Sequence, residues 1–161
     1  MLKYFITGIG TDVGKTIASS IIVEALESDY WKPIQSGANT DNDTLMVRSL
    51  ISNKKTKFHP EAYCFKAPLS PHEAAAIENV EIKINEIKLP GSDSLIIEGA
   101  GGIMVPLNNR LTFLDLIKEF DIPVILVIKH YLGAINHSLL SIEVLKNNDI
   151  KIKGLIFNGT D

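Results

Sequence analysis

The sequence predicts an α/β domain whose parallel sheet is covered by helices on both faces. Three observations carry this. Runs such as Leu95-Ile96-Ile97 and Val124-Ile125-Leu126-Val127-Ile128 are unbroken by polar residues, so both faces of those strands need cover. Helix-period segments alternate with the runs, the order that builds a parallel sheet. A glycine-bearing turn follows the first run and opens a helix, and such sheets bind ligands beyond the carboxyl ends of their strands.

Residues 2–6 read as the first strand, 8–14 as a loop and 16–26 as a helix with Ile17, Ile21, Val23 and Ala25 apolar. Residues 30–34 form a short strand. Residues 43–51 form a helix with Leu45, Val47, Leu50 and Ile51 apolar, and Asp41 suits its cap. Residues 70–77 form a helix with Ser70 as cap and Pro71 in its first turn. Residues 94–97 form a buried strand that ends at Glu98. A helix at 112–120, a strand at 124–128, a helix at 134–146 and a strand at 155–157 complete the order. The closing Asn158-Gly159-Thr160-Asp161 reads as the start of a connection, so a further C-terminal segment is expected.

A length of 161 residues fits one domain, 1–161, with room for a substantial core. Apolar residues make up 45% and charged residues 22%, which excludes a disordered chain. A net charge of −3 gives no reason to expect a nucleic-acid partner, and Lys54, Lys55 and Lys57 read as a solvated loop. The single cysteine, Cys64, excludes an internal disulfide, permits a reducing cytoplasm and is expected half-buried. No apolar run approaches the roughly 20 residues that span a bilayer. Residues 2–7 read as a strand rather than a signal peptide. His59, His72, His130 and His137 show no zinc spacing.

The loop reads Gly8-Ile9-Gly10-Thr11-Asp12-Val13-Gly14-Lys15-Thr16. Its backbone N–H groups and the helix N-terminus suit phosphate oxygens. Lys15 is placed for the β and γ phosphates and the Thr16 hydroxyl for Mg²⁺. Counting back from Gly14 puts Ile9 at the first glycine position of the general pattern, with Gly8 and Gly10 on either side. Leu95-Ile96-Ile97-Glu98 has the form of a second nucleotide motif, an apolar strand ending in a carboxylate near the metal. Gly99-Ala100-Gly101-Gly102 then lets backbone approach the phosphates. Asp41 or Asp43 could complete the metal's surroundings. Lys32, in Trp31-Lys32-Pro33-Ile34-Gln35-Ser36-Gly37, sits where it could neutralise a transferred phosphoryl group, or could be a surface lysine. Leu132-Gly133-Ala134-Ile135-Asn136-His137 opens a helix whose free N–H groups could hold a carboxylate. His137 reads as structural.

These segments, in this order and over essentially the whole chain, resemble the dethiobiotin synthetase family, a branch of the P-loop NTPase-like enzymes. The matching runs are those at residues 8–16, 31–37, 98–102 and 132–137, with Ser70-Pro71-His72. The family's loop has its first glycine where Gly8 stands. The resemblance implies that Lys15 and Lys32 contact the phosphates and a carbamate and are the catalytic residues. It implies a Mg²⁺ held by Thr16, Asp43 and Glu98. Nucleotide binding would involve Asp12, Val13, Gly14, Lys15, Thr16, Ile17, Asp43, Glu98, Gly99, Ala100, Gly101 and, against the adenine, Asn158. Substrate binding would involve Thr11, Lys32, Ser36, Leu132, Gly133 and Asn136.

The implied reaction takes 7,8-diaminononanoate, CO₂ and ATP to dethiobiotin in biotin biosynthesis, in a cytoplasmic homodimer. Three departures stand out. The family often has Glu where Asp12 stands. The stretch before Ser94 is short, which predicts a reduced covering helix. The family's C-terminal segment is missing from residues 1–161. Two other readings belong to the same superfamily. A partitioning-type ATPase switch has a signature lysine where this chain has Gly10. A cobyrinate-type amide synthase domain usually has an appended glutaminase.

Overall fold

A computed structural model of the chain describes residues 1–39 and 42–159. The strands are β1 (Leu2–Gly8), β2 (Asp29–Trp31), β3 (Ile34–Gln35), β4 (Phe58–His59), β5 (Tyr63–Cys64), β6 (Ser94–Gly102), β7 (Val124–Lys129) and β8 (Ile152–Asn158). The helices are α1 (Lys15–Leu26), α2 (Asp43–Leu50), α3 (Pro71–Ile77), α4 (Phe113–Phe120) and α5 (Ala134–Asn147). Six strands form one sheet in the order β4-β2-β6-β1-β7-β8, and every pairing in it is parallel. β3 and β5 form a separate parallel pair.

Alternation along the strands divides the core in two. Phe5, Leu95, Ile97, Val124, Leu126 and Ile128 pack with Phe113, Leu116, Ile117 and Leu145 on one face. Ile6, Ile96, Ile125 and Val127 pack with Ala18, Val23 and Val47 of α1 and α2 on the other. Helices therefore cover both faces, as the continuous apolar runs require. α4 starts at a capping box: the Asp115 carboxylate accepts from the backbone N–H and hydroxyl of Thr112.

Several expected boundaries change. The strand expected over 30–34 divides at Lys32-Pro33, because proline supplies no N–H to continue the ladder; Ile34 and Gln35 pair with β5 instead. The short strands β4 and β5 have too few residues to show a period. β6 runs on past Glu98 to Gly102, where Gly102 pairs with Gly8, so Glu98 lies within the strand rather than at its end. β8 begins at Ile152, three residues before the expected 155.

Asp41 lies outside the described residues, and Asn42 caps α2 by accepting from the Leu45 N–H. Ser70 holds the N-cap position of α3, but its hydroxyl bonds the Glu73 carboxylate and the His72 ring, not the helix backbone. Cys64 is exposed, contrary to expectation, because Tyr63 and Phe65 take the inward positions on either side. The stretch before Ser94 holds one 3-10 turn, Ile84–Glu86, in line with a reduced covering helix. Among the described residues, no helix is long and apolar enough to cross a membrane.

Glu24 ties α1 to the chain after α2. Its carboxylate accepts from Ser52, from the Asn53 backbone and from the Asn53 side chain. The Ser52 and Asn53 side-chain bonds, which favour the charged form, pull its pKa from 4.5 down to about 2. A carboxylate with a lowered pKa stabilises the fold above its unfolded value and loses that stabilisation as pH falls through the folded one. Glu24→Gln should therefore lower Tm at neutral pH, and the gap to wild type should close as pH falls from 4.5 towards 2. A gap independent of pH, read by thermal melts across that range, would contradict this assignment.

Candidate active site

The phosphate loop takes its shape from sterics. A Cβ on Gly8 would lie 2.5 Å from the Val13 side chain and 3.0 Å from the Gly10 carbonyl oxygen, whereas one on Gly10 would meet nothing within 4 Å. The glycine the turn needs is thus Gly8, which explains the offset from the general pattern. Gly14 is the N-cap of α1 at φ 95°, in the left-handed region. Val13 is buried and anchors the loop to the core on the α1 face. Lys15 reaches back over the loop and donates to the Gly10 carbonyl at 2.9 Å.

At the mouth of the loop lies a cleft of about 700 Å³. Of the residues expected at the site, Thr11, Asp12, Gly14, Lys15, Thr16, Ile17, Lys32, Ser36, Asp43, Glu98, Ala100 and Gly101 line it. Lys32 is no surface lysine. It is 3% exposed, and its ammonium pairs with Asp43 Oδ2 at 2.5 Å and Glu98 Oε1 at 3.3 Å and donates to the Gly99 carbonyl at 3.3 Å. The Thr16 hydroxyl lies 2.6 Å from Asp43 Oδ1 and 3.0 Å from Glu98 Oε1. Two ammonium groups, two carboxylates and one hydroxyl thus converge from α1, the β2–β3 turn, α2 and β6.

The charges tune one another. Burial lowers Lys15 first and Lys32 adds to it, so Lys15 falls from 10.5 to about 8, against the opposing pull of Glu98, Asp43 and Asp12. Burial works against the charge on Lys32 as well, but Glu98 and Asp43 outweigh it and hold the ammonium above its ordinary value. Burial likewise opposes the charge on Asp43, and the Lys32 ammonium beside it nonetheless keeps the carboxyl below its usual range. A triphosphate entering the cleft would raise the Lys15 pKa again and favour its charged form.

Other expected residues stand apart from this cleft. Val13 is turned into the core, and Gly99 contributes its carbonyl to Lys32. Asn158 binds the loop itself: its Nδ2 donates to the Val13 carbonyl at 2.9 Å and crowds the Gly14 Cα. Leu132, Gly133 and Asn136 are exposed at the start of α5. The neighbouring Tyr131 and His137 share a hydrogen bond of 2.6 Å and line a smaller recess with Gly10, Thr11, Asp12 and Lys129.

Two contributors carried no role in the sequence reading. Gln35 accepts from the Asp43 backbone N–H and donates to the Ser36 carbonyl, which joins β3 to the start of α2. Its place inside the lysine–proline segment was the available signal. Tyr30 donates to Glu98 Oε2 at 3.1 Å, a contact hidden because a buried strand tyrosine reads as core. Ser36 Oγ is buried and has no hydrogen-bond partner among the described residues.

The donors around Lys32 suit a hard cation. Thr16, Asp43 and Glu98 offer oxygen alone, the donor type of Mg²⁺, and an ammonium already sits among them. Among the described residues no group of three His, Cys, Asp or Glu side chains is placed to hold a metal, so an ion here would draw on water or nucleotide phosphates to complete its surroundings.

A family model described as an AAA domain matches residues 3–161. Among solved structures, a plasmid partition protein from Borrelia burgdorferi superposes with a TM-score of 0.58 at 12% identity, over 99% of this chain and 76% of its own. The kinase domain of an Escherichia coli tyrosine kinase gives 0.55 at 15% identity, over 99% and 68%. These likenesses establish the P-loop NTPase-like fold alone. Sequence relatives go further. The ATP-dependent dethiobiotin synthetase of Christiangramia forsetii is 52% identical over 99% of this chain and 77% of its own length. Those of Cytophaga hutchinsonii and Lawsonia intracellularis are 51% and 46% identical, over 99% and 98% of this chain and 78% and 76% of theirs. With that identity along nearly the whole sequence, and with the lysine–proline turn and the glutamate strand meeting at one phosphate loop, the chain belongs to the ATP-dependent dethiobiotin synthetase family.

Proposed function

We propose that this protein uses ATP to carboxylate 7,8-diaminononanoate with CO₂ and close the ureido ring of dethiobiotin, releasing ADP and phosphate. The observation that carries the reading is the meeting of Lys15, Lys32, Thr16, Asp43 and Glu98 in one cleft large enough for a triphosphate and a second substrate. A partitioning-type switch ATPase would carry its second lysine within the phosphate loop, where this chain has Gly10.

One amine first adds to CO₂, loses a proton and becomes a carbamate. A carbamate oxygen attacks the γ-phosphorus, and the bond to the β-phosphate oxygen breaks to give ADP and a carbamic–phosphoric anhydride. The second amine attacks the carbamoyl carbon, the ring closes, and phosphate leaves with the bonding electrons. Phosphoryl transfer of this kind depends on positioning and charge neutralisation more than on covalent help.

Loop amides from Thr11 to Thr16 hold the β and γ phosphates, with Asp12, Val13, Gly14 and Ile17 lining the nucleotide side. Gly99, Ala100 and Gly101 let backbone pass close to the γ-phosphate. Lys15 exchanges the Gly10 carbonyl for phosphate oxygens. Thr16, Asp43 and Glu98 would hold Mg²⁺, whose charge would offset that of the triphosphate. If the ion took the place of the Lys32 ammonium between the two carboxylates, Lys32 would be free for the carbamate and the transferred phosphoryl group. The Ser36 hydroxyl, without a hydrogen-bond partner among the described residues, is proposed as a substrate contact, together with Thr11. The adenine is proposed to lie by Asn158, whose amide borders Gly14. Leu132, Gly133 and Asn136, exposed at the α5 N-terminus, are proposed for the substrate carboxylate. A homodimer in the cytoplasm is the proposed setting.

Phosphate release measured with the diamine, bicarbonate and ATP, each omitted in turn, should require all three, with dethiobiotin found by mass spectrometry. Hydrolysis indifferent to the diamine would instead favour a switch ATPase. Losing one preorganised charge commonly costs on the order of 2.7–4 kcal/mol of barrier, so Lys15→Ala and Lys32→Ala should each lower turnover at least about a hundredfold. Because Lys32→Ala leaves buried carboxylates uncompensated, at about 3–5 kcal/mol, its folding should be checked by circular dichroism. Near-normal turnover by folded Lys32→Ala would remove that residue from the chemistry. Chelation by EDTA should stop turnover and added Mg²⁺ restore it; full activity in EDTA would exclude the ion.

A further inference from the structure

The two oxygens of Glu98 keep different company. Oε1 faces the cation seat, with Lys32 Nζ at 3.3 Å and Thr16 Oγ1 at 3.0 Å. Oε2 points the other way and accepts from the Tyr30 hydroxyl at 3.1 Å. Register explains the meeting. Tyr30 on β2 is the Cα partner of Ile96 on β6, and Glu98 lies two residues beyond Ile96. Residues two apart on a strand share a face, so phenol and carboxylate emerge on the same side of the sheet. The Tyr30 ring is wholly buried, with Phe58 at 5.8 Å between centroids, which leaves the phenol little freedom to follow any other acceptor. Burial first, and then the charge of Glu98, hold the phenol well above its ordinary pKa, so it remains a donor.

We propose that Tyr30 is a positioning residue whose hydroxyl pins Glu98 so that Oε1 stays turned to the cation seat while the Lys32 ammonium gives way to a divalent ion. This rests on the reading of Glu98 as a ligand of that ion. During the exchange the carboxylate loses its ammonium partner, and an unanchored carboxylate would be free to rotate off the seat. A bond to the far oxygen removes that freedom without competing for the near one. Hydrogen bonds to ligating carboxylates commonly govern metal affinity in this way.

The test uses Mn²⁺ as the probe, with ADP present and the free ion followed by electron paramagnetic resonance, so it needs no diamine turnover. Tyr30→Phe keeps the ring and removes the hydroxyl. It should weaken Mn²⁺ binding about tenfold and lower kcat with little change in KM for the diamine. In a Glu98→Gln background the same change should cost less than about twofold, because the two residues act through one contact. Thermal melts without metal accompany each variant: a purely structural hydroxyl would shift Tm and leave the Mn²⁺ Kd alone. An unchanged Kd in Tyr30→Phe, or equal losses in both backgrounds, would overturn the proposal while leaving the metal reading intact. A Glu98→Gln variant that binds Mn²⁺ as wild type does would overturn both.

Discussion

The ion pair between the Lys32 ammonium and the carboxylates of Asp43 and Glu98 is the constraint around which the site is arranged. A buried ammonium and a buried carboxylate, with the half-buried Asp43 beside them, are tolerable only as a set, since Lys32 or Glu98 left alone would face a heavy cost of desolvation. Each member is delivered by a different element: Lys32 by the turn after β2, Asp43 by the first residue of α2, and Glu98 by the middle of β6. Those elements must be correctly paired before the charges cancel. The pocket's electrostatics and the sheet's register are therefore one requirement.

That requirement gives the neighbouring features their sense. Pro33 ends β2 just where Lys32 must turn inward, and Gln35 then ties β3 to the N–H of Asp43, so the short β3–β5 pair helps set the start of α2. The Gly99 carbonyl completes the shell of the ammonium. The lysine supplies positive charge to the two acids. The phosphate loop beside it holds a second lysine whose charge burial and Lys32 have already weakened.

Much of this was legible in the sequence because the signals were local. The phosphate loop, the strand leading to Glu98 and the helix after Gly14 are contiguous segments with recognisable signals, and each was found, although the strand runs on past Glu98 to Gly102. Lys32 was ambiguous between surface and site; burial, which no spacing reports, decided it. β4 and β5 were invisible because two residues have no periodicity. Asn42 took the cap that Asp41 seemed equally suited to hold, since both residue types cap alike. Tyr30 was missed for a deeper reason: an aromatic in an apolar strand satisfies the core pattern, and its hydroxyl acquires a role only when β6 is laid beside it in one register. The positions of Leu132, Gly133 and Asn136 outside the main cleft likewise depend on tertiary placement, which a helix N-terminus does not encode.

The Asn158 amide on the Val13 carbonyl joins groups 145 residues apart. Nearly everything needed to cradle a triphosphate is made in the first sixteen residues, yet one of its braces comes from the outermost strand. The loop near the start of the chain thus stays unbraced until β8 has been made and docked. Its ability to grip nucleotide would mature only when β8 docks on β7, so failure of that docking would register as a defect at the oldest part of the chain.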